Sequence, residues 1–89
     1  MNAGYGGIKY NMSDDEDKKV IGYRQSVSCI NEQKVRKAFL AQDVEEKMKN
    51  ELIYLMEQKG ISYELVTSKR ELGKTHGLKV GASIVCLIN

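Results

Sequence analysis

Near the end of the chain the run Ala82-Ser83-Ile84-Val85-Cys86-Leu87-Ile88 is apolar at every position but one. Neighbouring side chains of a strand point to opposite faces, so such a run reads as a strand buried on both sides. A strand of that kind needs a packed layer above it and another below. Within these 89 residues the segments before the strand can supply both layers. That leaves room for one domain, with little core to spare and no large internal cavity.

The preceding sequence supplies the layers. Lys19-Val20-Ile21 reads as a very short strand closed by Gly22. Tyr23 to Asn31 reads as a helix with Val27 and Ile30 facing inward. Val35 to Ala41 is a second strand. Asp43 is expected to cap a long helix, with Glu46 three positions later as in a capping box. Val44, Met48, Leu52, Leu55 and Met56 form its apolar face at helical spacing. Gly60 ends it in the position just beyond the helix. Residues 61–66 alternate Ile61, Tyr63 and Leu65 with Ser62 and Glu64, the pattern of a half-buried strand. Ser68 with Glu71 is a capping box for another helix, and Gly77 lies past its end. Strands thus alternate with helices, which predicts a mainly parallel or mixed sheet with helices on both faces, an α/β/α sandwich. Residues 1–12, with three glycines and no apolar periodicity, read as a flexible N-terminal tail, and residues 13–89 as one domain. Ser13 and Glu16 could open a short helix over 13–17.

Charge narrows the function less than the fold. Asp14, Asp15, Glu16 and Asp17 form an acidic block, while from Lys18 onward thirteen Lys and Arg face eight Asp and Glu. A basic body of this size binds phosphates by counterion release, but the same charge also keeps a small domain in solution. No apolar run is long enough to span a bilayer or to act as a secretory h-region, so a cytoplasmic protein is expected. Cys29 and Cys86 stand apart from each other and from His76, so neither a zinc site nor a redox motif is expected, and both read as free thiols.

Catalytic signals are weak. Glu45 and Glu46 diverge on a helix and suit its dipole better than acid–base work. His76, in Thr75-His76-Gly77, has no orienting partner in sequence, and its imidazole is expected to be favoured in part-charged form by the helix end. Gly73-Lys74-Thr75 lacks the upstream glycine of a phosphate-binding loop. No catalytic residue, metal or cofactor is therefore expected.

Two polar segments remain. Gly22-Tyr23-Arg24-Gln25 places a glycine turn before a helix start, where backbone N–H groups can meet phosphate and where Arg and Gln suit base edges. Leu65-Val66-Thr67-Ser68-Lys69 offers an apolar edge and a basic loop to an unstacked base.

These segments appear in a fixed order: Gly22-x-Arg24-Gln25, Ala41-Gln42-Asp43, Val66-x-Ser68-Lys69-x-x-Leu72-Gly73-Lys74-x-x-Gly77, then Ala82-Ser83-Ile84-Val85. In this order the chain resembles the kink-turn-binding ribosomal-protein family, the L-seven-Ae and L-thirty-e type, and most of all its short bacterial members. The resemblance implies a three-layer α/β/α sandwich with a four-stranded mixed sheet. It implies close backbone approach at Gly22 and reading of sheared G·A pairs by Arg24 and Gln25. Thr67 and Lys69 would flank a flipped-out nucleotide supported by Val66, and Arg36 would lie near phosphates. Ser28 stands where family members commonly carry a lysine, which removes one phosphate contact. The expected partner is a kink-turn RNA, ribosomal or regulatory, bound by a monomer. The alternative is a protein-interaction module of a ribosome-associated factor on the same scaffold.

Overall fold

The computed structural model of the chain describes residues 18–89; the predicted tail and the helix at 13–17 lie outside them. Seven elements follow one another: β1 (Lys19–Ile21), α1 (Tyr23–Asn31), β2 (Val35–Ala41), α2 (Glu46–Gln58), β3 (Ser62–Val66), α3 (Lys69–Thr75) and β4 (Ile84–Ile88). The strands form one sheet in the order β1-β4-β2-β3. β4 runs antiparallel to both β1 and β2, and β2 runs parallel to β3. This is the mixed four-stranded sheet that the sequence implied.

The apolar run near the end of the chain occupies an interior position of that sheet. Ile84, Val85 and Cys86 are fully buried although they alternate in direction. Ala38 pairs with Cys86 and Phe39 with Val85, which assigns the two faces. Cys86 faces Ser26 of α1, while Phe39 faces His76 just past α3. The crossovers β1-α1-β2 and β2-α2-β3 step the same way across the sheet, so right-handed connections set both helices over one face. There α1 and α2 touch. α3 covers the other face, which completes the three layers.

Ile30, Leu52 and Met56 contribute helix side chains to the core, with Ala38, Leu40, Ala41 and Ile84 from the sheet and Leu72 from α3. Val27 is only half-buried, and the inward partner of Ile30 is Ser26, one turn earlier. Among the described residues the Ser26 hydroxyl has no well-formed hydrogen bond, and it lies against the Cys86 thiol, whose pKa burial pushes up. Both cysteines are free.

Asp43 does not cap α2. That helix begins at Glu46, after Glu45, with no side-chain cap. Gln42 N–H donates to the Val66 carbonyl at 2.8 Å, which ties the turn after β2 to the end of β3. Asp43 is thereby carried next to the start of α3, and its Oδ1 accepts from Lys69 N–H at 2.8 Å. The orphan donors of α3 are the nearer need, since Ser68 Oγ satisfies only the Glu71 N–H, at 3.0 Å. α2 ends as expected, with Gly60 at φ 69° and Ile61 N–H bonded back to the Met56 carbonyl at 2.9 Å.

Candidate nucleic-acid interface

Strand direction decides what meets at each end of the sheet. β1, β2 and β3 end where β4 begins, so the segments after three strands and before the fourth share one tip. Backbone bonds lace them together. Gly22 N–H donates to the Ile84 carbonyl and Ala41 N–H to the Ser83 carbonyl, both at 2.9 Å, and Ala82 N–H donates to the Lys69 carbonyl at 3.0 Å. The tip thus gathers Gly22, Arg24 and Gln25 from one side with Val66, Thr67 and Lys69 from the other.

Gly22 adopts φ 104° and ψ 162°, a conformation open essentially only to glycine. It lets the chain leave β1 and enter α1 without an intervening loop. The first hydrogen bond of the helix runs from Ser26 N–H to the Gly22 carbonyl at 3.1 Å, and among the described residues no side chain caps this end. The N–H groups of Tyr23, Arg24 and Gln25 are therefore the uncapped donors that helix starts present to ligands. Arg24, Gln25 and Ser28 fall on one arc of α1, three and four residues apart, opposite buried Ser26 and Ile30. All three are exposed.

Across the tip, Thr67 and Lys69 are exposed and Val66 is half-buried. A further apolar side chain stands there. Val80, 72% exposed, lies in the loop between α3 and β4. It is held in place because Gly81 packs on Lys69 and the Val80 carbonyl packs on Gly73. Sequence reasoning missed Val80, whose only signal was an isolated apolar residue between Lys79 and Gly81, outside any periodic run.

Arg36 is not part of this tip. It lies near the start of β2, where the pairing with β4 shifts register between Val35 and Lys37. The end of β2 is five residues on, about 17 Å at strand rise. The structure thus brings together Gly22, Arg24, Gln25, Val66, Thr67 and Lys69, with Ser28 one turn behind, and leaves Arg36 at the opposite end.

His76 also departs from expectation. Burial first, and the Lys19 ammonium second, hold its pKa below the ordinary 6.5, so the helix end does not favour the charged ring. Lys19 Nζ lies 3.3 Å from His76 Nδ1, a contact that requires the tautomer with its proton on Nε2. The sign follows from linkage. The unfolded ring gains a proton near pH 6.5 and the folded ring only lower, so acidification through 6.5 destabilises the fold until the folded ring also protonates. In an NMR titration His76 should titrate below 6.5, and Lys19→Met should raise its pKa without bringing it fully back. A value at or above 6.5 in the wild type would contradict the packing against Phe39 and Lys19.

Among the described residues no cluster of His, Cys, Asp and Glu is placed to hold a metal ion, and no helix is long and apolar enough to cross a membrane.

Comparison with known proteins settles the family. The sequence pattern of the ribosomal protein L7Ae/L30e/S12e/Gadd45 family matches residues 8–89. The chain belongs to that family. An RNA-binding protein of Bacillus pumilus is 26% identical over 81 residues, covering 91% of this chain and 99% of the relative. An RNA-binding protein of Caldanaerobacter subterraneus is 32% identical over 66 residues, covering 74% and 80%. Among solved structures, the 15.5kD RNA binding protein of Giardia lamblia superposes with a TM-score of 0.74 at 20% identity, over 81% of this chain and 61% of its own. A Bacillus halodurans protein of unknown function gives the same TM-score at 18% identity, over 81% and 72%. At such identities these two structures speak for the L7Ae-type fold alone.

Proposed function

We propose that this L7Ae-family chain binds RNA through the tip of its sheet and stabilises the bent form of a kink-turn. The observation that carries the reading is the convergence of two polar helix starts, α1 with Arg24 and Gln25 and α3 with Thr67 and Lys69, across strand ends joined by backbone bonds. The names of the bacterial relatives support RNA as the ligand class.

Gly22 has no side chain, so an RNA groove can approach the backbone there, and the uncapped N–H groups of α1 offer donors to its oxygens. Arg24 and Gln25 reach base edges in the major groove side by side, with the forked hydrogen bonding that fits sheared G·A pairs. On the other side Thr67 and Lys69 flank an unpaired nucleotide. Half-buried Val66 and exposed Val80 give its base an apolar surface. Ser28, on the same arc as Arg24, adds no charge, so the phosphate contribution at this helix is small.

The reaction is a population shift, and the reading assigns no catalytic residue. The protein binds the bent state more tightly than the extended one, so bending and binding are one equilibrium. An RNA carrying a donor and an acceptor dye on its two arms tests this directly. Adding protein at low divalent-ion concentration should raise energy transfer in step with binding. Binding without any change in transfer would refute the bending role.

A further inference from the structure

We infer that RNA leaving the tip continues down the α3 face of the sheet, along Lys69, Lys74 and Lys19 to the Phe39–His76 pair. The inference rests on the RNA-binding tip proposed above and extends it to a second surface.

The two outer layers of the fold differ in charge. From the start of α3 to the loop that follows it, Lys69, Arg70, Lys74 and Lys79 face the single carboxylate Glu71. In α2, on the opposite face, Lys47 and Lys49 are outnumbered by Glu46, Glu51 and Glu57. All the α3-side charges are exposed. A polyanion emerging from the tip is therefore attracted to one face and not to the other.

The basic layer also has direction. α3 starts at the tip, where Lys69 N–H is held by Asp43, and runs away from it over seven residues, about 10 Å. Its end delivers His76 to the sheet. The His76 ring sits 5.6 Å from the Phe39 ring at an interplanar angle of 53°, with Lys19 Nζ 3.3 Å from Nδ1. Lys37 Nζ lies 5.5 Å from the Phe39 ring centre and is shared with Glu64. Cations interleaved with a half-buried aromatic pair are what a single strand uses, phosphates on the ammonium groups and a base against a ring. Lys37 stands four residues before the tip end of β2, about 13 Å by strand rise, so five stacked nucleotides at about 3.4 Å each are long enough to reach it from the tip.

The test uses the full chain and kink-turn RNAs without an extension, or with five unpaired nucleotides on one end or the other. One extension should raise affinity by roughly tenfold and steepen the dependence of log K on log salt by about 1.4, the slope for two single-strand phosphate contacts. Lys19→Gln with Lys74→Gln should erase that gain and leave binding of the unextended RNA unchanged. Lys74→Gln alone should remove about half of it, independent of any effect on the Lys19–His76 contact. Lys47→Gln with Lys59→Gln on the α2 side should leave the gain intact. If neither extension helps, or the α2-side variant removes as much as the α3-side one, the inference is wrong while the tip reading stands. If the unextended RNA does not bind, both fall together.

Discussion

Alanine at both Arg24 and Gln25 is expected to weaken binding to kink-turn RNA by at least about 30-fold and to abolish preference for it over a duplex control. Each forked contact to a base edge discriminates by about 1–3 kcal/mol, and the two side chains stand next to each other on the arc of α1 that points away from the core. The protein itself should hardly notice. Both positions are exposed, and substitutions of that kind usually change stability by less than about 0.5 kcal/mol. Binding assays beside a thermal melt separate the effects. Unchanged affinity in a fully folded double variant would remove the base-reading site from the start of α1.

Gly73→Ala is expected to have the largest effect on stability. In an ordinary helix this exchange stabilises by about 1 kcal/mol, because glycine is a poor helix former. Here the sign reverses. A Cβ on Gly73 would run into the Val80 carbonyl, a backbone atom that no rotamer change can move aside. The loop that carries Val80 is tied down on both sides, by Leu78 N–H to the Gly73 carbonyl at 2.8 Å and by Ala82 N–H to the Lys69 carbonyl at 3.0 Å. Overpacking of this kind costs about 1–3 kcal/mol or more. For a domain of this size a loss of about 2 kcal/mol lowers the melting temperature by roughly 8–16 °C. Thermal denaturation followed by circular dichroism checks it, and a variant as stable as the wild type would contradict the close approach of helix and loop. RNA binding should weaken too, because Val80 and Lys69 are positioned through that contact.

The parts of the fold that were legible in the sequence are those written in local periodicity. The apolar run containing Ile84, Val85 and Cys86 announced an interior strand, and Leu52 and Met56 marked the buried side of α2. Ser68 with Glu71 and the left-handed Gly60 set helix ends through contacts only three to five residues long. What escaped depends on pairing between distant segments. Asp43 looked like the cap of the helix that follows it, but the bond from Gln42 to Val66 brings it to a different helix. His76 looked like a ring favoured by a helix end, until the fold partly buried it and set Lys19, 57 residues away, against it. The family resemblance set Arg36 near phosphates, and strand direction decides which end of the sheet it occupies. The resemblance to L7Ae-type proteins supplied the order of the tip segments, and the parallel course of β1, β2 and β3 explains why they converge. Val80 carried neither a motif nor a period, and its exposure follows from the packing of two glycines.

The central claim is that the tip reads a kink-turn and not merely charge. It is tested most directly by titrating the full chain against a labelled kink-turn RNA and against the same RNA with its G·A pairs replaced by Watson–Crick pairs, each at two salt concentrations. The account predicts a clear preference for the kink-turn that persists at the higher salt, because base-edge contacts survive where phosphate contacts weaken. Equal, salt-sensitive binding to both RNAs, or binding to neither, would contradict it.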